Sequence, residues 1–166
     1  MRRAFLLLIP VLLLACSGCG VYSFTGASVD GKTLNMHLLD NRARNVVPTL
    51  SQNLTIKIRN RILTQTGLTS VNSDNADYDI SGYITGYEVT VSGVQNTQQA
   101  SQNRLTISVS VTFVNKKNPK ANFTQAFTQF KDFPANQTLQ SVESTLIDQI
   151  GDLLANDIFT KAFVNW

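Results

Sequence analysis

Residues Arg104–Val114, RLTISVSVTFV, are the stretch of the sequence that decides the fold. Apolar and polar residues alternate along it, and successive side chains of a β-strand point to opposite faces of a sheet. One face would carry Leu105, Ile107, Val109, Val111 and Phe113, and the other Thr106, Ser108, Ser110 and Thr112. The pattern predicts a strand with one face in the core. The other face, rich in hydroxyl groups, suits water or a polar partner surface.

Two further long strands are predicted, one on each side of this stretch in the sequence. Tyr78 to Val91 is rich in Tyr, Ile, Thr and Val, which favour strands. Asn122 to Lys131 carries several phenylalanines, and the change of parity between Phe127 and Phe130 predicts a bulge. The polar, Gln/Asn-rich segment from Ser92 to Asn103 is expected to form a mobile hairpin tip.

Two helices are predicted from apolar residues that recur on one helical face. The first follows Pro48, whose missing N–H costs nothing at a first helical position, and it ends at Thr66-Gly67. The second extends from about Gln140 to Val164. The apolar stripes are Leu50, Leu54, Ile58 and Ile62 in the first helix and Val142, Leu146, Ile150 and Leu153 in the second.

The order of the predicted elements favours an α+β fold. Lys32 to Leu39 is a loosely alternating strand before the first helix, and Leu68 to Val71 suits a short strand after it. The longer strands and the second helix follow. We therefore expect a two-layer sandwich in which a mixed or antiparallel sheet of about four strands carries both helices on one face.

Residues 1–18 are predicted to be a lipoprotein signal peptide. A basic start, Met1-Arg2-Arg3, precedes an apolar core from Ala4 to Ala15. The core has twelve residues, whereas a membrane-spanning helix needs about 18 or more. A basic start, a short apolar core and small residues after it are typical of a cleaved export signal.

Two cysteines compete for the lipid that such a signal directs. Small residues directly precede Cys19, whereas Cys16 has a leucine at the favoured third position before it. The small residues favour Cys19 as the lipidated residue, with Cys16 as the alternative. A disulfide between the two would close a strained loop. No cysteine follows Cys19, so we expect that its thiol carries a diacylglyceryl group and that the residue bears a further acyl chain such as palmitate.

The predicted mature chain, residues 19–166, divides into a tether and one domain. Residues 19–31 carry glycines among small polar residues, which indicates an extended tether, and residues 32–166 suit one domain. Without Arg2 and Arg3, twelve basic residues face eleven acidic ones, so the net charge falls from +3 to +1. We therefore expect no binding to nucleic acid, which needs a clear basic surplus. Contact with a membrane is expected through the lipid anchor.

The sequence contains no recognisable motif of an enzyme or of a metal site. His37 is the sole histidine and lies in a predicted strand, where a lone histidine is more often structural than catalytic. Asp74, Asp77 and Asp79 lack the central glycine and the closing glutamate of a calcium loop. We expect a protein that is not an enzyme, with no cofactor besides its covalent lipid and no metal.

Lys116, Lys117 and Lys120 form a compact positive cluster. Such a cluster is typical of a solvated hairpin turn. It also suits a ligand-binding site for phosphate groups on a lipid or glycolipid, since ammonium groups act as point charges. On the sequence alone both interpretations stay open.

Several segments, in matching order, resemble the lipopolysaccharide-assembly lipoprotein family LptE as it occurs in the Bacteroidetes group. These segments are Ser17–Gly26, Asn41–Ala43, Pro48–Gln52, Asn103–Thr106, Phe130–Phe133 and Val164–Trp166. None of them is specific alone, but the series spans essentially the whole mature chain. The resemblance also favours Cys19 over Cys16 as the lipidated residue.

The resemblance implies a small α/β sandwich, anchored by its lipid on the periplasmic side of the outer membrane. It implies an LptD-like outer-membrane β-barrel as partner, with the lipoprotein seated in the barrel lumen as a plug and assembly partner. The implied role is the delivery of lipopolysaccharide to the cell surface, and no catalytic residue is carried over. The alternative is a generic periplasmic lipoprotein that serves as a scaffold or as a cell-wall-binding module.

Overall fold

The computed structural model describes residues 29–94 and 100–164, in which six strands and two helices form a two-layer α+β sandwich. The strands are β1 (Thr33–Met36), β2 (Asp40–Asn41), β3 (Thr69–Ser70), β4 (Tyr78–Val94), β5 (Ala100–Asn115) and β6 (Phe123–Pro134). The helices are α1 (Leu50–Thr66) and α2 (Leu139–Phe163), and a short 3-10 helix, Pro119–Ala121, joins β5 to β6. Both helices pack on the same face of the sheet, around one core. The expected fold class is confirmed.

The sheet is mixed, with the order β3-β1-β4-β5-β6 and with β2 beside β4. β1 pairs in parallel with β3 and β4, whereas β4, β5 and β6 form an antiparallel meander. Parallel neighbours need a crossover connection, and α1 supplies it between β1 and β3. The sheet has six strands rather than about four. β3 falls within the predicted short strand Leu68–Val71, whereas β2 is not predicted, because it is two residues long and leaves no periodic signal.

The alternation in β5 is confirmed. All five apolar residues of the predicted core face are buried, and the four hydroxyl residues between them are half-buried on the face away from the helices, which we call the open face. The bulge predicted in β6 is wrong. Phe127 lies opposite Val109 and Phe130 opposite Thr106 in an unbroken register. The change of parity instead places Phe130 on the open face, where it is 44% exposed.

The hairpin between β4 and β5 is longer in its strands and shorter in its tip than predicted. Pairing continues through Gly93 opposite Gln102, with register shifts on both sides of Gly93. Cross-strand hydrogen bonds join backbone groups, so polar side chains do not prevent the pairing. Only residues 95–99 of the predicted tip lie outside the described residues.

The two helices end close to their predicted limits and lie side by side. α1 begins at Leu50, two residues after Pro48, and Gly67 follows its end with φ 70°, a left-handed conformation that glycine adopts without strain. Lys57 of α1 bonds Asp148 and Asp152 of α2 at 2.7 and 2.6 Å. Gly151 lies beneath Lys57, and a β-carbon there would come within 2.6 Å of the lysine Cδ. Its missing side chain therefore lets the two helices approach each other.

A cluster of aromatic rings closes one end of the core. Tyr78 at the start of β4, Phe113 near the end of β5 and Phe163 at the end of α2 have ring centroids 5.3 to 5.9 Å apart. Phe123, at the start of β6, stacks on Phe113 at 5.4 Å. Such contacts stabilise beyond simple burial, and they fix the ends of four elements against one another. Neither of the described helices is long and apolar enough to span a membrane.

Candidate functional site

The open face of the sheet carries several serine and threonine hydroxyl groups on β5 and β6. The side chain of Ser108 lies 2.8 Å from that of Thr128 across the β5–β6 pair, and Thr112 lies 2.9 Å from Thr124. Each hydroxyl can donate once and accept twice, so these pairs keep capacity for further hydrogen bonds. The face can therefore bind a polar surface without exposing a large apolar patch.

Two arginines cover aromatic rings on the same face. The guanidinium carbon of Arg104 lies 3.7 Å from the ring centre of Phe130, and its nitrogens bond both carboxylate oxygens of Asp132 at 2.8 and 3.0 Å. These bonds hold the pKa of the Asp132 carboxyl below its ordinary value. Arg42 lies 4.4 Å over the ring of Tyr83. Each pair shields an aromatic ring beneath a planar cation.

Sequence reasoning missed these two pairs, although part of the signal was present. Asn103–Thr106 and Phe130–Phe133, two of the segments that carry the family resemblance, lie directly opposite each other in β5 and β6. Arg104 faces Asp132 in that register. The segments thus form one structural unit, of which Arg104, Phe130 and Asp132 lie on the open face. Their distance in the sequence conceals this.

The lysine turn, Asn115–Lys120, is built around two asparagines. The side-chain oxygen of Asn115 accepts hydrogen bonds from the backbone N–H groups of Lys117 and Asn118, both at 2.9 Å. The backbone N–H of Asn115 donates to the side-chain oxygen of Asn122 at 2.7 Å. Asparagines shape turns in this way because their short side chains reach nearby backbone groups. The turn is therefore ordered from within and presents its lysines outward.

The three lysines of this turn point to different partners. Lys116 Nζ donates to the carbonyl of Asp74, and Lys117 Nζ lies 3.6 Å from Asp77 Oδ1. Lys120 instead lines a groove of about 360 Å³ with Phe123 and Lys161, and the ammonium of Lys161 lies 5.8 Å from the Phe123 ring centre. The predicted cluster is thus exposed, but it divides into two lysines held by the β3–β4 loop and one that faces Lys161.

His37, Asp77 and Asp79 have structural partners, and the backbone carbonyl of Asp74 accepts from Lys116. His37 Nε2 lies 2.9 Å from Asp79 Oδ2, which also accepts a 2.8 Å hydrogen bond from Asn35. Asp77 Oδ2 accepts from the backbone N–H groups of Lys32 and Thr33 at 2.7 and 3.1 Å. The Lys32 bond is the largest of several contacts that lower the pKa of the Asp77 carboxyl. The aspartates therefore fix the entry of the chain into β1 and β4.

Among residues 29–94 and 100–164, no group of three or more His, Cys, Asp or Glu side chains is arranged to hold a metal ion. Cys16 and Cys19 lie outside the described residues. The described open face suits contact with a large polar surface.

The chain matches a family model described as LptE, lipopolysaccharide-assembly, over residues 31–162. Among proteins of curated function, none is similar enough in sequence to match it.

Several solved bacterial lipoproteins are similar to this chain in structure. A minor lipoprotein from Acinetobacter baumannii is 19% identical, with a TM-score of 0.52 over 80% of this chain and 93% of that one. Rare lipoprotein B from Shewanella oneidensis is 14% identical, with a TM-score of 0.55 over 78% and 92%. Lipoprotein B from Nitrosomonas europaea is 12% identical, with a TM-score of 0.54 over 79% and 81%. At these identities the likeness shows a shared fold.

Proposed function

We propose that this chain, which belongs to the LptE lipopolysaccharide-assembly family, is an outer-membrane lipoprotein acting as plug and assembly partner of an LptD-like β-barrel. Members of this family are non-enzymatic components of lipopolysaccharide transport. The observation that carries the proposal is the extent of the match, because residues 31–162 include the whole sheet and all but the last residue of α2.

The open face supports this proposal chemically. The interior of an outer-membrane barrel is polar, so a plug needs donors and acceptors on its surface rather than an apolar patch. The hydroxyl groups of β5 and β6 supply both. Arg42 and Arg104 cover the large rings on that face, which lets the free protein stay in water before it meets the barrel.

Copurification tests the proposed partner. The full-length chain, carrying a C-terminal affinity tag, is extracted from membranes in mild detergent, and we expect a one-to-one complex with a large outer-membrane barrel. Depletion of the protein should reduce the correctly assembled barrel and the lipopolysaccharide at the cell surface. Absence of a barrel partner, together with unchanged surface lipopolysaccharide after depletion, would overturn the proposal. Recovery with peptidoglycan instead would favour a cell-wall-binding lipoprotein, and recovery with other periplasmic proteins a scaffold.

We also propose Cys19 as the anchor residue and predict that Cys19→Ala leaves an unprocessed precursor without lipid. The expectation follows from the small residues before Cys19 and from the lack of any later cysteine. Mass spectrometry of the mature N-terminal peptide should find the lipid on Cys19 in the wild type, and Cys16→Ala serves as the control that keeps normal processing. A lipid on Cys16, or an unmodified Cys19 at the mature terminus, would contradict the assignment. Protease added to intact cells should not cleave the protein rapidly, because we place it on the periplasmic side.

For the lysine turn we propose contact with the phosphate groups of lipopolysaccharide. Replacing Lys116, Lys117 and Lys120 together by Ala should weaken lipopolysaccharide binding and leave the fold intact, since all three side chains are exposed. Binding of the purified full-length protein to lipopolysaccharide, measured at two salt concentrations, checks this. Lys131→Ala, on β6 away from the turn, is the matched control. Normal binding by the triple variant would show that the turn is only a solvated loop.

A further inference from the structure

One end of the molecule gathers five exposed lysines that are far apart in the sequence. They are Lys32, Lys116, Lys117, Lys120 and Lys161, and we call the surface they form the tether end. Lys32 immediately precedes β1, the next three lie in the turn between β5 and β6, and Lys161 lies in the last turn of α2.

Contacts of the described residues bring these lysines together. The backbone N–H of Lys32 donates to Asp77 Oδ2 at 2.7 Å, and Lys117 approaches the other oxygen of that carboxylate at 3.6 Å. Lys120 and Lys161 line one groove. Phe123, a member of the aromatic cluster at this end of the core, lines the same groove. The lysines therefore share one rigid surface.

The chain enters the domain at this same end. The backbone N–H of Gly31 donates to the hydroxyl of Tyr78 at 3.1 Å. The segment that connects the domain to Cys19 therefore joins it beside Lys32 and Lys117. Twelve residues lie from Cys19 to Asp30, and a chain of that length reaches at most about 40 Å when fully extended. β5 alone is 16 residues long, or roughly 50 Å, so the β4–β5 hairpin projects away from this end.

Some cations of the described structure are held in salt bridges, and at the tether end Lys117 is one of them. Arg104 is bound to Asp132, and Lys57 lies between Asp148 and Asp152. Within the described residues, no salt bridge forms to Lys32, Lys120 or Lys161. Three ammonium groups without a salt bridge to the described residues thus lie at the end of the molecule where the tether leaves, beside the exposed residues Asp30 and Asp74.

We propose that, before the domain enters the barrel, the tether end rests on the anionic phospholipid headgroups of the bilayer that holds the lipid anchor. The proposal rests on the proposed anchoring through Cys19. Lysines beside a membrane anchor add attraction to an anionic bilayer surface that falls off within a Debye length. In this orientation the β4–β5 hairpin would point away from the headgroups. The lipid anchor and the lysines would together determine the orientation of the domain.

Lysine footprinting of the lipidated full-length protein tests this orientation. The protein is reconstituted into vesicles of phosphatidylethanolamine with phosphatidylglycerol, or of phosphatidylcholine alone, and acetylation of each lysine is followed by mass spectrometry. On the anionic vesicles we expect Lys32, Lys120 and Lys161 to react at least about threefold more slowly than on the neutral ones. Lys131, on β6 away from the tether end, should react equally on both. The difference should vanish near 0.5 M salt, where the Debye length is about 4 Å and the attraction between lysines and headgroups is screened.

A charge-reversed variant completes the test. Lys32→Glu with Lys161→Glu should remove the protection of Lys120 and leave copurification with the barrel unchanged, since neither residue lies on the open face. Equal rates of the three lysines on both kinds of vesicle would overturn the inference while the barrel complex and the lipid on Cys19 remain as found. Loss of the barrel partner or of the lipid in the wild type counts against the proposed function, and both are measured on the same material.

Discussion

Val109→Asp is expected to abolish folding. Val109 is fully buried in the middle of β5, paired with Ile84 on one side and Phe127 on the other. A carboxylate placed there would lose its hydration with no cation in reach, which costs several kcal/mol. Domains of this size are stable by only about 5–15 kcal/mol in total, so one such charge consumes most of that margin. Circular dichroism and protease resistance of the purified variant check the result.

Ser110→Asp is the matched control for that experiment. It introduces the same side chain one residue further along β5, but onto the open face, where the carboxylate stays in water. We expect the variant to fold with a melting temperature within a few degrees of the wild type. Equal folding of both variants would show that the phase of the strand is wrong, and failure of both would show that β5 tolerates no charge on either face.

Most of the fold could be predicted because its long elements carry their own periodicity. The alternation in Arg104–Val114 reports burial directly, and α1 is fixed by its apolar stripe and by Gly67. The misplaced features lack such a signal. β2 is defined by its pairing with β4, which is distant in the sequence, and the parity of Phe130 is explained by an arginine 26 positions earlier. Side-chain patterns within one segment do not encode contacts of this kind.

The candidate site was harder to predict for a related reason. The lysine turn is visible in the sequence because its charges are consecutive. Its companion Lys161 is about 40 positions further on and joins Lys120 only because α2 ends beside the start of β6. The pairing of Arg104 with Asp132 likewise depends on the β5–β6 register. A surface assembled from several elements becomes visible only when the packing of those elements is known.

Ser110→Asp is also expected to abolish the complex with the barrel while leaving the protein folded. In the proposed complex the open face lies against the lumen wall, so the added carboxylate would be desolvated without a partner. Ser110 lies opposite Tyr83 and Ala126. The two arginines of this face are already bound to carboxylates, Arg42 over Tyr83 to Asp40 and Arg104 to Asp132. Burial of an unpaired charge at an interface costs several kcal/mol, or at least about a hundredfold in affinity.

Copurification of the tagged full-length variant from membranes measures that loss. Ser144→Asp, on the exposed side of α2, adds the same charge to the opposite layer and should retain the barrel. If both variants retain the barrel, the open face is not part of the interface, although the barrel remains the partner. Loss with Ser144→Asp alone would place the barrel contact on the helices instead. Loss with Ser110→Asp alone is the result that seats the hydroxyl-rich face of β5 against the barrel, because only that face then fails to tolerate a charge that the free domain accepts.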